Sequence, residues 1–331
     1  MELLKSIKLH SLLMRLALSS AKPLLDPLIL ERQGHTPAGT NFDIYQHCRK
    51  TLATCVAIHG VTVNGGRDAR LINFARNLAH FGITCVVPTL KGLAACQWEP
   101  RDLDELVDIV TLAANEHQQP VGLIGFSFGG SYALIVAGRP EVSKHVHWVI
   151  TFGAYHNLEH VFEEYLANLH NEPQGDPGWD DAIYQRLVFL YGHRDAIAFS
   201  PEVWQEMEIL LKRYCCEASI EEKRRFYERH LHNLDIARAI RRSLEPEVLK
   251  KLSPAGNLNG LKCPVTLIHD RHDNVVPPVQ AERLLSELQA LHGANCCRLV
   301  MTSLLSHVSP SDLLKVHEIV QLAHALSPLV Q

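Results

Sequence analysis

Val121-Gly122-Leu123-Ile124-Gly125-Phe126-Ser127-Phe128-Gly129-Gly130 reads as a buried strand that runs directly into a serine framed by glycines and on into a helix. The stretch up to Phe126 is almost wholly apolar and has the length of a strand, and a helix pattern follows from about Phe128 to Ala137. Gly125 to Gly129 match G-x-S-x-G, a pattern that carries meaning only in this strand-to-helix setting. There the serine occupies a strained turn, and side chains two residues to either side would collide with neighbouring backbone. The hydroxyl is presented at a helix N-terminus, whose dipole and amides favour negative charge. Ser127 is therefore the candidate nucleophile; the alternative is an ordinary glycine-rich turn.

Outward from this stretch, strands alternate with helices. Asn41–His47, Thr54–His59, Ile83–Val87, Val146–Phe152, Pro264–His269 and Cys297–Met301 read as strands. Arg67–Phe81, Arg101–His117, Val279–Leu291 and a closing Pro310–Leu326 carry helical apolar stripes. Continuous apolar strands separated by helices imply an α/β domain, a mostly parallel, doubly wound sheet covered on both faces. Between residues 155 and 261 strand signals vanish and aromatics concentrate, among them Tyr165, Trp179, Tyr184, Phe189 and Tyr214. Ser200-Pro201 fits an N-cap followed by a first-turn proline, and Ser219 to Glu222 a capping box. Residues 155–261 are thus expected to be a helical lid insert, and residues 36–154 and 262–331 the core around it. A second, unrelated domain is the rival reading of the insert.

A serine hydroxyl needs a base to take its proton. His307 lies between the last strand and the last helix, and Asp273 lies in Asp270-Arg271-His272-Asp273-Asn274-Val275-Val276-Pro277, just after a buried strand. Both are expected at the carboxyl ends of parallel strands, where sites in open α/β sheets form. Asp270 is the competing acid, and its position closer to the strand also suits the capping of a turn. Acyl transfer further needs donors aimed at an oxyanion. The amide of Phe128, after the nucleophile, and that of Val61 in His59-Gly60-Val61 are the candidates.

These landmarks, with Val87-Pro88, follow one another over residues 40–327 in an order that resembles the α/β-hydrolase superfamily, specifically its lid-bearing bacterial serine esterases with a His-Gly oxyanion loop. The resemblance implies an α/β-hydrolase fold and a Ser127-His307-Asp273 triad that cleaves a carboxylic ester through an acyl-enzyme, without metal or cofactor. Thr89 stands where many relatives carry an acid, and no His-Gly-Gly-Gly stretch is present, which argues against the hormone-sensitive-lipase-like branch. Thioesterase or amidase chemistry would use the same triad, and a non-catalytic ligand-binding scaffold is the alternative outside enzymology. The aromatic insert implies a small ester with an apolar acyl group as substrate.

Bulk properties narrow the partners. A net charge of −4 gives no sign of nucleic-acid binding. Nine cysteines, an odd number without a C-x-x-C pair, suit reduced buried thiols and a cytoplasmic location better than a disulfide framework or zinc ribbon. Residues 1–35 are expected to be an N-terminal helical segment; Lys8, His10 and Arg15 interrupt its leucines too often for a signal peptide or a membrane span. Packing on the core, or weak peripheral membrane contact through this helix, are its two readings.

Overall fold

The computed structural model describes residues 26–168, 175–231, 237–242, 244–303, 305–306 and 309–310, together with Glu318, Gln321, Leu322 and Leu326. His307, residues 1–25 of the expected N-terminal helical segment and most of the expected closing helix lie outside the described residues, although Glu318, Gln321 and Leu322 are helical.

Strands β1 (Ile29–His35), β2 (Asn41–His47), β3 (Ala53–Ile58), β4 (Ile83–Pro88), β5 (Val121–Phe126), β6 (Val146–Phe152), β7 (Val265–Asp270) and β8 (Cys297–Thr302) form one eight-stranded sheet in the order β1-β2-β4-β3-β5-β6-β7-β8. The two edge pairings of β2, with β1 and β4, are antiparallel. Every pairing from β4 through β8 is parallel. Parallel neighbours need crossovers, and these supply α1 (Ala69–His80), the short α2 (Lys91–Ala94), α3 (Arg101–His117), α4 (Phe128–Ala137) and, between β7 and β8, α11 (Val279–His292). Alternation along each strand divides the core. Val56, Ile58, Leu123 and Val149 face the side covered by α3, α4 and α11. Cys55, Ala57, Ile124 and Ile150 face α1, Leu322 and Leu326.

The sequence expectation fails at β1. Residues 29–35, assigned above to a helical segment, pair in register with β2 from Ile29↔His47 to His35↔Asn41. This strand is an edge, mostly exposed, and its sequence Leu30-Glu31-Arg32-Gln33-Gly34 has no apolar alternation to announce it. Between β6 and β7 the described chain is helical: α5 (Leu158–Asn168), α6 (Gly175–Gly192), α7 (Pro201–Arg213), α8 (Ile220–His230), α9 (Ala237–Arg242) and α10 (Pro246–Leu252). Pro201 opens α7 behind Ser200, and the Ser219 hydroxyl accepts from the Glu222 amide at the start of α8. Ile183, Leu187, Met207, Leu210 and Phe226 give these helices a core of their own, which takes in Cys96 from the α2 side. Among the described residues no helix is long and apolar enough to cross a membrane.

In the middle of the sheet Gly122 of β5 faces Trp148 of β6 across a register irregularity, and a methyl at 122 would overlap the indole. Overpacking of this kind costs roughly 1–3 kcal/mol. Gly122→Ala should lower the urea midpoint of unfolding accordingly, whereas a midpoint within error of wild type would show that the Trp148 ring moves aside freely.

Candidate active site

Ser127 follows β5 and precedes α4, with φ 52° and ψ −125°. A non-glycine residue at positive φ is strained, and here the surroundings hold it: the Ser127 amide donates to Phe152 O at 2.7 Å, and the Gly130 amide to Ser127 O at 2.9 Å. Gly125 and Gly129 have no room for a side chain. A methyl on the first would meet the backbone of Gly129 and Gly130, and one on the second the carbonyls of Ile58 and His59. The loop after β3 therefore lies directly on the turn. A Cβ on Gly60 would stand 3.1 Å from Ser127 Cβ and from Phe126 O. Ser127 is thus brought together with Gly60, one residue ahead of Val61, and with the Phe128 amide at the first position of α4.

Several solved structures share this architecture. An esterase of Pyrococcus furiosus is 12% identical with a TM-score of 0.55, over 94% of this chain and 97% of its own. A serine hydrolase of Cycloclasticus zankles is 13% identical with a TM-score of 0.51, over 91% and 97%. A meta-cleavage product hydrolase of Pseudomonas fluorescens is 16% identical with a TM-score of 0.50, over 92% and 98%. The chain has the α/β-hydrolase fold. At these identities the likeness is one of fold. No protein-family model and no curated protein matches the sequence.

Within this α/β-hydrolase fold Asp273 sits two strands along from Ser127, in the turn after β7. Its side chain is wholly shielded; Oδ1 accepts from the amides of Val275 and Val276, both at 2.8 Å, and Oδ2 lies 3.4 Å from His269 Nε2. Asp270 ends β7, and its Oδ1 accepts from the His272 amide at 3.1 Å, the turn-capping alternative foreseen for it. Leu305–Ser306 and Ser309–Pro310, which flank His307 in sequence, pair antiparallel, and the first lies beside β7. Glu318 anchors the end of β8 ahead of them. Its carboxylate accepts from Thr302 Oγ1 at 2.7 Å, the Ser303 amide at 2.6 Å and Ser303 Oγ at 3.0 Å. Among the described residues no group of three or more His, Cys, Asp or Glu side chains is placed to hold a metal ion.

The rings flanking Ser127 diverge. Phe126 stacks on Phe152 with centroids 5.0 Å apart and meets Phe74 of α1, away from the insert. Phe128 faces Tyr155 and Trp98, and Trp98 stacks on Phe189 of α6 at 4.9 Å and meets Phe162 of α5 at 5.2 Å. The residue after the serine therefore opens an aromatic cluster that continues into the insert.

The role of His59 is one that sequence reading did not reach. Its ring is buried, with Nε2 3.0 Å from the Leu90 amide and Nδ1 2.6 Å from Gly60 O. An amide only donates and a carbonyl only accepts, so Nε2 carries the lone pair and Nδ1 the proton. A second proton would face the Leu90 N–H, and burial pushes the pKa down to about 4. The neutral ring thus joins the loop after β3 to the loop after β4. The latter is itself held by buried Asp102 of α3, which accepts from the Gly92 and Leu93 amides at 2.8 Å each. Burial raises the Asp102 pKa to about 7 against the pull of those two amides. A histidine following a strand gave no sign of which backbone groups it would bridge.

His59 predicts an acid dependence. Its pKa in the fold, about 4, lies below its ordinary value of 6.5, so the unfolded chain binds the extra proton first as pH falls. The stabilisation is complete above pH 6.5 and drains away between 6.5 and about 4, by roughly 3 kcal/mol in all. Denaturant unfolding at pH 7.5, 5.5 and 4.5 should show the advantage of wild type over His59→Gln shrinking across this window; a constant difference would mean that the ring titrates normally.

Proposed function

We propose that this chain is a serine hydrolase that cleaves carboxylic esters with a Ser127-His307-Asp273 triad. The observation that carries the reading is the backbone of Ser127, held at positive φ between β5 and α4 with glycine backbone packed on it from both sides. A fold retains such strain where the presented group is used. His307 takes the Ser127 proton as Oγ attacks the ester carbonyl, and Asp273 holds the imidazole in its tautomer and stabilises the imidazolium. The amides of Val61 and Phe128 receive the oxyanion. His307 then protonates the departing alcohol. A water, deprotonated by the same imidazole, releases the acid and regenerates Ser127. The Val275 and Val276 amides on one oxygen of the Asp273 carboxylate support it as the orienting acid, while Asp270, equally buried, caps the turn at His272. Helices α5 to α10 act as the lid, and the cluster running from Phe128 through Trp98 to Phe162 and Phe189 supports an apolar acyl group.

A fluorophosphonate probe should label the protein at Ser127, and Ser127→Ala should abolish labelling and p-nitrophenyl ester turnover with the fold intact. Turnover by that variant at the wild-type rate would end the assignment. Asp273→Asn should lower kcat by orders of magnitude, about 10⁴ where a triad tautomer is lost, and Asp270→Asn far less; the reverse order would make Asp270 the acid.

The aromatic cluster yields an acyl-length profile. Each methylene that becomes buried adds up to ~0.8 kcal/mol, about fourfold. Across a p-nitrophenyl ester series kcat/KM should climb by up to that factor per carbon and then drop once the pocket is full. A flat profile from acetyl to palmitoyl, or a preference for charged acyl groups, would contradict an apolar acyl site.

A further inference from the structure

Helix α6 of the insert does more than cover the sheet. The Tyr184 hydroxyl donates to the Val61 carbonyl at 2.6 Å, and the Gln185 side-chain amide donates to the Asn274 carbonyl at 3.0 Å. Successive residues of a helix point about 100° apart, so one turn of α6 reaches both the loop after β3 and the loop after β7. Its last residue, Gly192, accepts from Gln97 Nε2 at 3.2 Å, which ties in the segment after β4 as well. A further tie runs the other way, from Asn64 Nδ2 to the Lys212 carbonyl at the end of α7. The Tyr184 ring packs against Tyr214 with centroids 5.0 Å apart, and burial raises the phenol pKa, so the hydroxyl stays a protonated donor.

The Val61 amide lies between two anchored carbonyls. Gly60 C=O belongs to the same planar peptide as Val61 N–H and points the opposite way, so the His59 bond to Gly60 O holds one end of that peptide. That peptide can still pivot about its held oxygen if Val61 Cα shifts, and the carbonyl on the far side of Val61 Cα is the one that Tyr184 holds. Among the described residues Val61 N–H has no hydrogen-bond partner.

We propose that Tyr184 is a positioning residue for oxyanion stabilisation: by fixing the Val61 carbonyl from the insert, it sets the aim of the Val61 amide toward the carbonyl oxygen of a substrate attacked by Ser127. The inference rests on the reading of Ser127 as nucleophile and Val61 as oxyanion donor. Loss of an oxyanion donor costs about 10²–10³ in kcat. Loss of its support, with the donor retained, should cost less, on the order of 10–100-fold.

The test uses the full-length protein, p-nitrophenyl butyrate as substrate, and an alkyl trifluoromethyl ketone, whose adduct with the serine carries the oxyanion. Active sites are titrated to completion with a fluorophosphonate, so a partly unfolded preparation is corrected for. Tyr184→Phe removes the hydroxyl alone. Per titrated site kcat should fall 10–100-fold with KM within about twofold, and ketone affinity should fall by a similar factor. Wild-type kcat per site, or a kcat loss with unchanged ketone affinity, would overturn the proposal. Unlabelled wild-type protein, or an active Ser127→Ala variant, would instead remove the underlying reading.

Discussion

The top of this sheet is organised around one backbone conformation. Ser127 at φ 52° carries a cost of order 1–3 kcal/mol, and the fold offsets it with contacts from two neighbouring strands. The Phe152 carbonyl at the end of β6 takes the Ser127 amide, while the Ile58 and His59 carbonyls at the end of β3 close over Gly129. Those contacts require β3, β5 and β6 to be adjacent and parallel with their carboxyl ends level, which is the arrangement observed. The order of the central strands and the geometry of the turn are therefore one constraint met at two scales.

A second layer of constraint fixes the loops around that turn. A buried neutral histidine spans the loops after β3 and β4, a buried aspartate holds the second of these, and Glu318 collects three donors at the end of β8. Each is a buried polar group whose partners are backbone atoms, joined for Glu318 by the hydroxyls of Thr302 and Ser303. Charge and tautomer are set by what those partners can offer, because an unmatched donor or acceptor there would be costly.

The features legible in the sequence were those written in local periodicity. The largely apolar runs from Ile83 to Val87, Val121 to Phe126 and Val146 to Phe152 read as covered strands by their length and flanking residues, and the stripe from Arg101 to His117 as a helix. β1 escaped because a polar edge strand has no buried face to impose alternation; its place comes from pairing with β2. At the site, Ser127 stood out because its glycines are close in sequence. Asp273 could be placed after a strand, but its difference from Asp270 lies in the backbone amides each accepts, those of Val275 and Val276 for Asp273 and that of His272 for Asp270. The bond from Tyr184 to Val61 spans 123 residues and joins a side chain to a carbonyl, so no spacing or composition could have disclosed it.

The ties made by α6 and α7 bear on how such a protein can diversify. An insert joined to its domain only at its two ends behaves as a cassette, and recombination could exchange it without disturbing what lies beneath. Here a transplanted insert lacking counterparts of Tyr184, Gln185 and the Lys212 carbonyl would leave Val61, Asn274 and Asn64 without their partners. The insert and the loops beneath it are therefore bound to change together, and variation in this scaffold would come more readily from point substitutions, such as at Phe162 of α5 and Phe189 of α6, than from wholesale replacement of those helices.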